Sequence, residues 1–261
     1  MIRTLLAALC LFAVSAWAQP AIAPPQAGFM QDAGGWFRPV YGLAGNFLLG
    51  EPLIPQGISA AFSGSFGLAK TDSELIVTDS LGETIATSNV PEGSALFAFT
   101  GDGKPALVFF FSTNTLLRWD GLTLSRIPLD WTALAADAVL SIAEPDPYHA
   151  AMIAQRKDGL WDIRVVLATG EVDSQTALPF VTAPACILAS GDVVSSDDQG
   201  LVIRKTDGSL IHIAALLPPA FALQQMGVGW LQIRDLTNRA QFAVRISKGR
   251  EGLFLLPEVS Q

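Results

Sequence analysis

The sequence predicts an all-β chain made of repeated units of four strands, and three observations lead to this fold class. Few windows place apolar residues at the i, i+3, i+4 and i+7 positions of an amphipathic helix, and one short helical turn is expected near Trp131. Short apolar or alternating runs dominate instead, and Gly, Asp, Asn and Pro bound them, which is the pattern of strands and tight turns. These runs also recur with a period of about 40 residues.

Three landmarks repeat in a constant order through six units. The first is an Asp or Asn (Asx) that precedes an apolar run, at steps of 40, 42, 44, 40 and 40 residues: Asp32, Asp72, Asn114, Asp158, Asp198 and Asn238. The second is a Gly that closes the run: Gly42, Gly82, Gly121, Gly170, Gly208 and Gly249. The third is a Pro after an apolar residue: Pro55, Pro91, Pro128, Pro179, Pro218 and Pro257. Asx residues suit tight turns, Gly supplies positive φ, and Pro cannot donate to a strand ladder. Each unit is therefore predicted to be strand, Asx turn, strand, Gly turn, strand and Pro exit.

A further apolar run opens each of the last five units, which completes four strands per unit: ISAAFSG, SALFAFTG, AVLSIA, ACILAS and FALQQMG. Four strands in about 40 residues is the spacing of a propeller blade. We therefore predict a six-bladed β-propeller of four-stranded blades over residues 19–261. The first unit, roughly residues 19–56, is short, and the strand it lacks is expected to be the innermost. The alternative is five blades with the N-terminal segment as a strap, and the sequence leaves open how the ring closes.

The first 18 residues predict export. Arg3 precedes an apolar run that begins at Leu5, and Ala16-Trp17-Ala18 provides a cleavage site before Gln19, as in a secretory signal peptide. The apolar run is shorter than the ~20 residues of a membrane-spanning helix. We expect a mature chain of residues 19–261 in an extracytoplasmic compartment, periplasmic or secreted, without a membrane span.

The composition of the mature chain excludes some classes of protein. Loss of Arg3 leaves 15 Lys and Arg against 24 Asp and Glu, and the basic residues are scattered, which argues against a nucleic-acid partner. Cys186 remains as a single cysteine, so no internal disulfide is expected. Its apolar flanks, PACILA, favour a small buried side chain over a nucleophile.

Two units carry a resemblance to known propellers. SDDQGLVIRKTDGSLI and TDSELIVTDSLGETI resemble the strand–turn–strand pairs of bacterial extracytoplasmic propellers, including the quinoprotein-like outer-membrane assembly type. The resemblance is one of architecture only, because that type usually has eight blades and a Trp at a fixed place near the end of each, whereas the tryptophans here follow no constant phase.

A WD-repeat protein is not expected. Neither His149 nor His212 follows a glycine, and a Trp-Asp pair closes the third strand of one unit only, at Trp119-Asp120. We interpret Asp120-Gly121 as an ordinary hairpin turn and predict that Trp119 packs against a neighbouring blade. No specific family follows from these residues.

Two groups of residues are candidates for binding. The six Asx residues are predicted to lie on the face that carries the Pro exits, where they could form a binding surface, unless each simply caps its own turn. The segment EPDPYHA holds Glu144, Asp146 and His149, whose oxygen and nitrogen atoms could hold a divalent ion, although a loop interrupted by prolines is polar for ordinary reasons. No catalytic residue is assigned, and no cofactor is expected.

These observations favour an exported, non-catalytic binding or scaffold propeller. Its partner, a protein or a cell-envelope component, would be recognised on one face of the ring. The alternative is a propeller hydrolase or lyase with a site at the mouth of the central channel. Convergence of three or more of the six Asx residues, Glu144 and His149 within metal-binding reach at that mouth would favour the enzyme.

Overall fold

Six antiparallel sheets surround a central channel as the blades of a propeller, which confirms the predicted six-bladed fold over the five-bladed alternative. The computed structural model describes residues 24–258 except 33, 65, 101, 102 and 104. The predicted signal peptide, residues 1–18, lies outside the described residues.

The strands follow the chain blade by blade. Blade 1 contains β1 (Gln26–Gln31), β2 (Phe37–Leu43) and β3 (Asn46–Leu49). Blade 2 contains β4 (Ser59–Phe62), β5 (Phe66–Lys70), β6 (Glu74–Asp79) and β7 (Thr84–Asn89). Blade 3 contains β8 (Ala95–Phe99), β9 (Ala106–Phe110), β10 (Thr115–Trp119) and β11 (Leu124–Arg126). Blade 4 contains β12 (Ala138–Asp146), β13 (His149–Arg156), β14 (Gly159–Val166) and β15 (Val172–Ala177). Blade 5 contains β16 (Cys186–Ile187), β17 (Val193–Asp197), β18 (Gly200–Arg204) and β19 (Leu210–Ala214). Blade 6 contains β20 (Phe221–Gly227), β21 (Trp230–Asp235), β22 (Gln241–Arg245) and β23 (Gly252–Leu255).

The predicted helical turn is present as α1 (Trp131–Leu134), between blades 3 and 4. The Asp130 side chain accepts a hydrogen bond from the Thr132 backbone N–H, which satisfies one of the donors that a helix N-terminus leaves free. No helix among the described residues has the length and apolar character needed to cross a membrane.

The repeated turn residues occupy equivalent places in the blades. In blades 2–6, the Asx residue lies between the second and third strands, and the Pro follows the fourth. Between the third and fourth strands, the landmark glycines Gly82, Gly121, Gly170, Gly208 and Gly249 have φ between 73° and 105°. Gly42 is an exception, because it lies within β2 and the turn of its hairpin is formed by Ala44 and Gly45.

The strand missing from blade 1 is the innermost one, as the sequence predicted. Near the start of β1, Gly28 lies against the backbone of Met226, at the end of β20. At the end of β1, Gln31 contacts Arg234, and Arg234 pairs with Ala222 at the start of β20. β1 therefore runs antiparallel to β20 and has the direction of a second strand. Among the described residues, blade 1 consists of the second, third and fourth strands of a blade.

The hydrophobic core is divided into six clusters of buried side chains, one between each pair of neighbouring blades. Trp119 belongs to the cluster between blades 2 and 3, and its ring lies 5.6 Å from that of Phe66 in blade 2. This contact confirms that Trp119 packs against a neighbouring blade. The Asp120 carboxylate accepts hydrogen bonds from the backbone of Leu122 and Thr123, so the Trp-Asp pair marks a hairpin turn.

Among the described residues, the first and last blades share no strand, and the ring closes by side-chain packing and hydrogen bonds. The described strands of blade 1 all precede blade 2 in the chain, and those of blade 6 are all C-terminal. Ala27, Met30 and Val40 of blade 1 pack with Met226 and Ala243 of blade 6. The two backbones approach so closely that a Cβ added at Gly28 would lie 2.1 Å from the Met226 carbonyl oxygen.

Candidate functional site at the channel mouth

The two faces of the ring carry different loops. We call one the Asx face, and it consists of two kinds of segment. The turns between second and third strands are residues 32–36, 71–73, 111–114, 157–158, 198–199 and 236–240. The connections between blades are residues 50–58, 90–94, 127–137, 178–185 and 215–220. The remaining turns form the opposite face. The strand order thus places all six Asx landmarks and the Pro exits together, as predicted.

The Asx landmarks differ in what their side chains do. Asp32 is buried and caps its own turn, since its Oδ1 accepts hydrogen bonds from the backbone N–H groups of Gly34 and Trp36. Asp158 accepts a hydrogen bond from the Trp161 indole at 3.0 Å, and Asn238 donates to Asp235. All Asx landmarks except Asp32 are exposed: Asp72, Asn114, Asp158, Asp198 and Asn238. In the turn of Asp198, the preceding Asp197 provides the cap.

Asp32 also has a charged partner. Burial raises the pKa of its carboxyl, but the hydrogen bonds from Arg38, Trp36 and Gly34 outweigh this effect, and the pKa lies below the usual value. The Arg38 Nε–Asp32 Oδ2 distance is 2.7 Å. This carboxylate stabilises its turn and does not reach the channel.

The metal-ligand candidates do not converge. Glu144 is buried and forms an ion pair with Arg118 of blade 3 at 2.5 Å. Asp146 caps the next turn by accepting from the Tyr148 backbone, and the His149 Nδ1 lies 3.0 Å from its carboxylate. The His149 Nε2 lies 3.9 Å from Asp173. These residues lie toward the opposite face, and no group of three His, Cys, Asp or Glu side chains within the described part of the chain could hold a metal ion.

The central channel contains a cavity of about 250 Å³. Its wall comes from the first strands of blades 2–6, and Gln31 is the only contribution of blade 1 among the described residues. Ile58, Ser94 and Phe111 lie at the Asx-face ends of their blades and line the cavity. The cavity therefore opens toward the Asx face. None of the nine candidate residues (the six Asx landmarks, Glu144, Asp146 and His149) lines this cavity.

Polar side chains from blades 6 and 1 meet at one side of this channel. Arg234 Nη1 donates to Gln31 Oε1 at 2.7 Å, and Gln31 Nε2 donates to the Gly57 carbonyl at 2.6 Å. The Gln224 amide donates to Gln232, which in turn donates to the Gln241 side chain. Sequence reasoning missed this cluster, although the consecutive glutamines in FALQQMG interrupt an otherwise apolar run.

Cys186 lines the same cavity but is not activated. Burial raises the pKa of its thiol to about 11, and Ser141 Oγ lies 3.7 Å from the sulfur. A thiol with so high a pKa is almost entirely protonated near neutral pH and is a poor nucleophile. Its buried position agrees with the expectation from its apolar flanks.

Large apolar side chains are exposed on the Asx face. Phe180 and Leu216, both in connections between blades, are 95% and 98% exposed. Phe180 also has φ of 67°, a conformation that bulky residues rarely adopt. Ile58, Phe111 and Leu236 on the same face are exposed to smaller extents: 43%, 37% and 59%.

Comparison with solved structures shows the fold. A chain of a nidogen/laminin complex superposes with a TM-score of 0.58 at 12% identity, covering 90% of this chain and 99% of that one. A functionally unknown protein from Desulfotomaculum acetoxidans superposes with a TM-score of 0.53 at 13% identity, covering 92% and 91%. No protein-family model matches the chain, and no curated protein sequence matches it significantly. The chain is thus a six-bladed β-propeller with no specific family established.

Proposed function

We propose that this protein is an exported, non-catalytic binding propeller that recognises a protein or a cell-envelope component on its Asx face. The observation that carries the proposal is the near-complete exposure of Phe180 and Leu216 in two connections between blades on the Asx face. Exposed apolar surface is a common feature of interaction sites. Aromatic side chains in particular supply much of the binding energy at protein interfaces.

The charge of the Asx face supports a partner with basic groups. Its exposed side chains include these carboxylates: Asp72, Glu92, Asp130, Asp137, Asp158 and Asp198. The exposed basic side chains in its turns are fewer, Lys157 and Arg239. An acidic surface attracts basic partners over long distances and repels acidic ones, so salt is expected to weaken the association.

The fold itself is compatible with this role. The neighbour with the higher of the two TM-scores reported above belongs to a complex between two proteins, nidogen and laminin. This supports a protein partner only at the level of the fold. The partner of the present chain has to be found by experiment.

The test is capture of partners from cell-envelope extracts with the mature protein, residues 19–261, as bait. A double variant, Phe180→Asp and Leu216→Asp, removes the two exposed apolar groups, and Asp tolerates the backbone angle of Phe180. Leu122→Asp is the matched control, because Leu122 is 92% exposed on the opposite face. We expect the double variant to lose at least about tenfold in captured partner and the control to retain it. Equal capture by all three proteins would refute the role of the Asx face.

The export part of the proposal has its own test. Deletion of residues 2–18 is expected to retain the protein in the cytoplasm, because the deletion removes the apolar segment that the export machinery recognises. Fractionation of cells that express the full-length and deleted chains measures the effect. Efficient export of the deleted chain would contradict the assignment.

A further inference from the structure

We propose that the channel cavity binds a terminal carboxylate, with Arg234 as the residue that pairs with it, and that the ligand is the C-terminal end of a basic peptide. This inference rests on the proposed function, because it specifies what the Asx face would recognise. It follows from the position of Gln31 and Arg234 in the channel wall, from the surroundings of Arg234 and from the charge of the Asx face.

Arg234 and Gln31 lie together in the channel wall. Arg234 lies on β21, a second strand, and the other second-strand residue in the described lining is Gln31 of β1. No first strand of blade 1 is present among the described residues, and Gln31 reaches the cavity there. Arg234 reaches it from the neighbouring blade 6 and contacts Gln31.

The Arg234 guanidinium has an uncharged hydrogen-bond partner and further N–H groups that can donate to a ligand. Among the described residues that line the cavity, it is the one charged side chain. Its Nη1 donates to the Gln31 amide oxygen, and no described carboxylate forms an ion pair with it. A guanidinium has five N–H donors in a planar fork that matches the two oxygens of a carboxylate. The partly buried position makes such a charge-assisted bond stronger than it would be in water.

The rest of the cavity suits the end of a peptide. Leu96, Phe97, Leu140 and Ile142 provide an apolar wall for a terminal side chain. The volume of about 250 Å³ lies below the usual range for drug-sized ligands, so one or two residues would fill it. The acidic Asx face would hold basic residues upstream of the carboxylate, whereas it would repel a ligand of net negative charge.

Binding of one short peptide in two forms tests the proposal. The probe has two lysines followed by glycine, alanine and leucine, with either a free or an amidated C-terminus, and calorimetric titration measures both. Butyrate serves as a small free carboxylate. We expect the free-acid peptide to bind at least about tenfold more tightly than the amide, which is the effect of one charge-assisted pair. Butyrate that binds as tightly as the free-acid peptide would support the carboxylate site but overturn its assignment to a peptide.

Two substitutions locate the binding. Arg234→Gln removes the charge in the channel, and Arg250→Gln makes the same change in the same blade at an exposed position on the opposite face. We expect the first to abolish the preference for the free acid and the second to leave it unchanged. Ser94→Phe fills part of the cavity wall while retaining Arg234, and it is expected to weaken binding as well.

The outcomes distinguish this inference from the proposed function. Equal binding of acid and amide, or an unchanged preference in Arg234→Gln with a native circular dichroism spectrum, overturns the carboxylate site. Capture of a partner that depends on Phe180 and Leu216 would still support the Asx face in that case. Conversely, a carboxylate preference without any Asx-face-dependent partner would support the site and refute the wider proposal.

Discussion

Blade 1 and blade 4 show how much a propeller blade can lose and still complete the ring. The first three strands of blade 4 have eight or nine residues, and Ala150–Ala154 of β13 are entirely buried. Blade 1 has strands of six, seven and four residues and lacks an innermost strand among the described residues. Both blades nevertheless bury a hydrophobic cluster against each neighbour. Packing between blades therefore does not require a described innermost strand, and β3 contributes Phe47 to it.

The lack of a described inner strand in blade 1 changes the lining of the channel. The innermost strands of blades 2 and 6, β4 and β20, contact each other, so within the described part of the chain five inner strands surround the channel. Phe29 of β1 stacks on Phe62 of β4, with ring centroids 3.7 Å apart. Close contacts with both neighbours thus replace the inner strand of blade 1, and the polar side chains beside the gap become part of the wall.

The largest effect is expected from truncation in the core of blade 4. Ile163 is fully buried, and Ile163→Ala is expected to lower the free energy of unfolding by about 2–5 kcal/mol, because it removes buried methyl groups and leaves a cavity. Val40→Ala in blade 1 is the comparison, and a smaller loss is expected because fewer atoms are removed. Urea denaturation measures both. A larger loss for Val40→Ala would mean that blade 1 depends more on its core than blade 4 does.

An intermediate effect is expected at the closure between blades 1 and 6. At Gly28, φ is +149° and the neighbouring backbone leaves no room for a Cβ. Gly28→Ala is therefore expected to lower the free energy of unfolding by about 1–3 kcal/mol. Gly35→Ala is the control, since φ is +82° but no atom lies within 4 Å of the new Cβ. Hydrogen exchange is expected to increase at β1 and β20 in the first variant only. Identical exchange in both variants would show that the close approach does not hold the ring closed.

The smallest effect is expected from two capping carboxylates. Asp32→Asn is expected to cost about 1–2 kcal/mol at pH 7, because it keeps the turn but loses the charge beside Arg38. The Asp146 side chain of blade 4 is 44% exposed, so solvent screening keeps the cost of Asp146→Asn below about 1 kcal/mol. Urea denaturation at pH 7 and pH 3 measures both.

The dependence on pH has a definite sign. Because the folded-state pKa of Asp32 is lowered, its contribution is complete above the pKa of the unfolded chain, ~3.9, and is lost as the pH falls through the folded pKa. The difference in the free energy of unfolding between the native chain and Asp32→Asn should therefore become smaller at acid pH. A difference that is constant with pH would show that the charge does not contribute.

Much of the fold could be predicted from local turn chemistry. The spacing of Asp72, Asn114 and Asp198 marks the same turn in three blades, and the short first unit indicates the missing strand. Gly42 shows the limit, because a glycine can also lie within a strand, and the turn here uses Gly45. The prediction of a shared face for the Asx residues was correct for the same reason, since turn position and strand order are local properties. Which of those side chains remain exposed could not be predicted, because a neighbouring residue can cap the turn instead. Asp197, for example, accepts the hydrogen bond from the Gln199 backbone N–H in the turn of Asp198.

The sequence by itself determined the period, the order of strands and turns and the number of blades, because each depends on residues close together in the chain. Only the tertiary structure decided how the ring closes and what lines its channel. Gln31 and Arg234 are 203 positions apart, and Gly28 meets Met226 at a similar separation. Such contacts depend on the relative placement of whole blades, which no local pattern encodes. For that reason the candidate site came from the structure and not from the motifs.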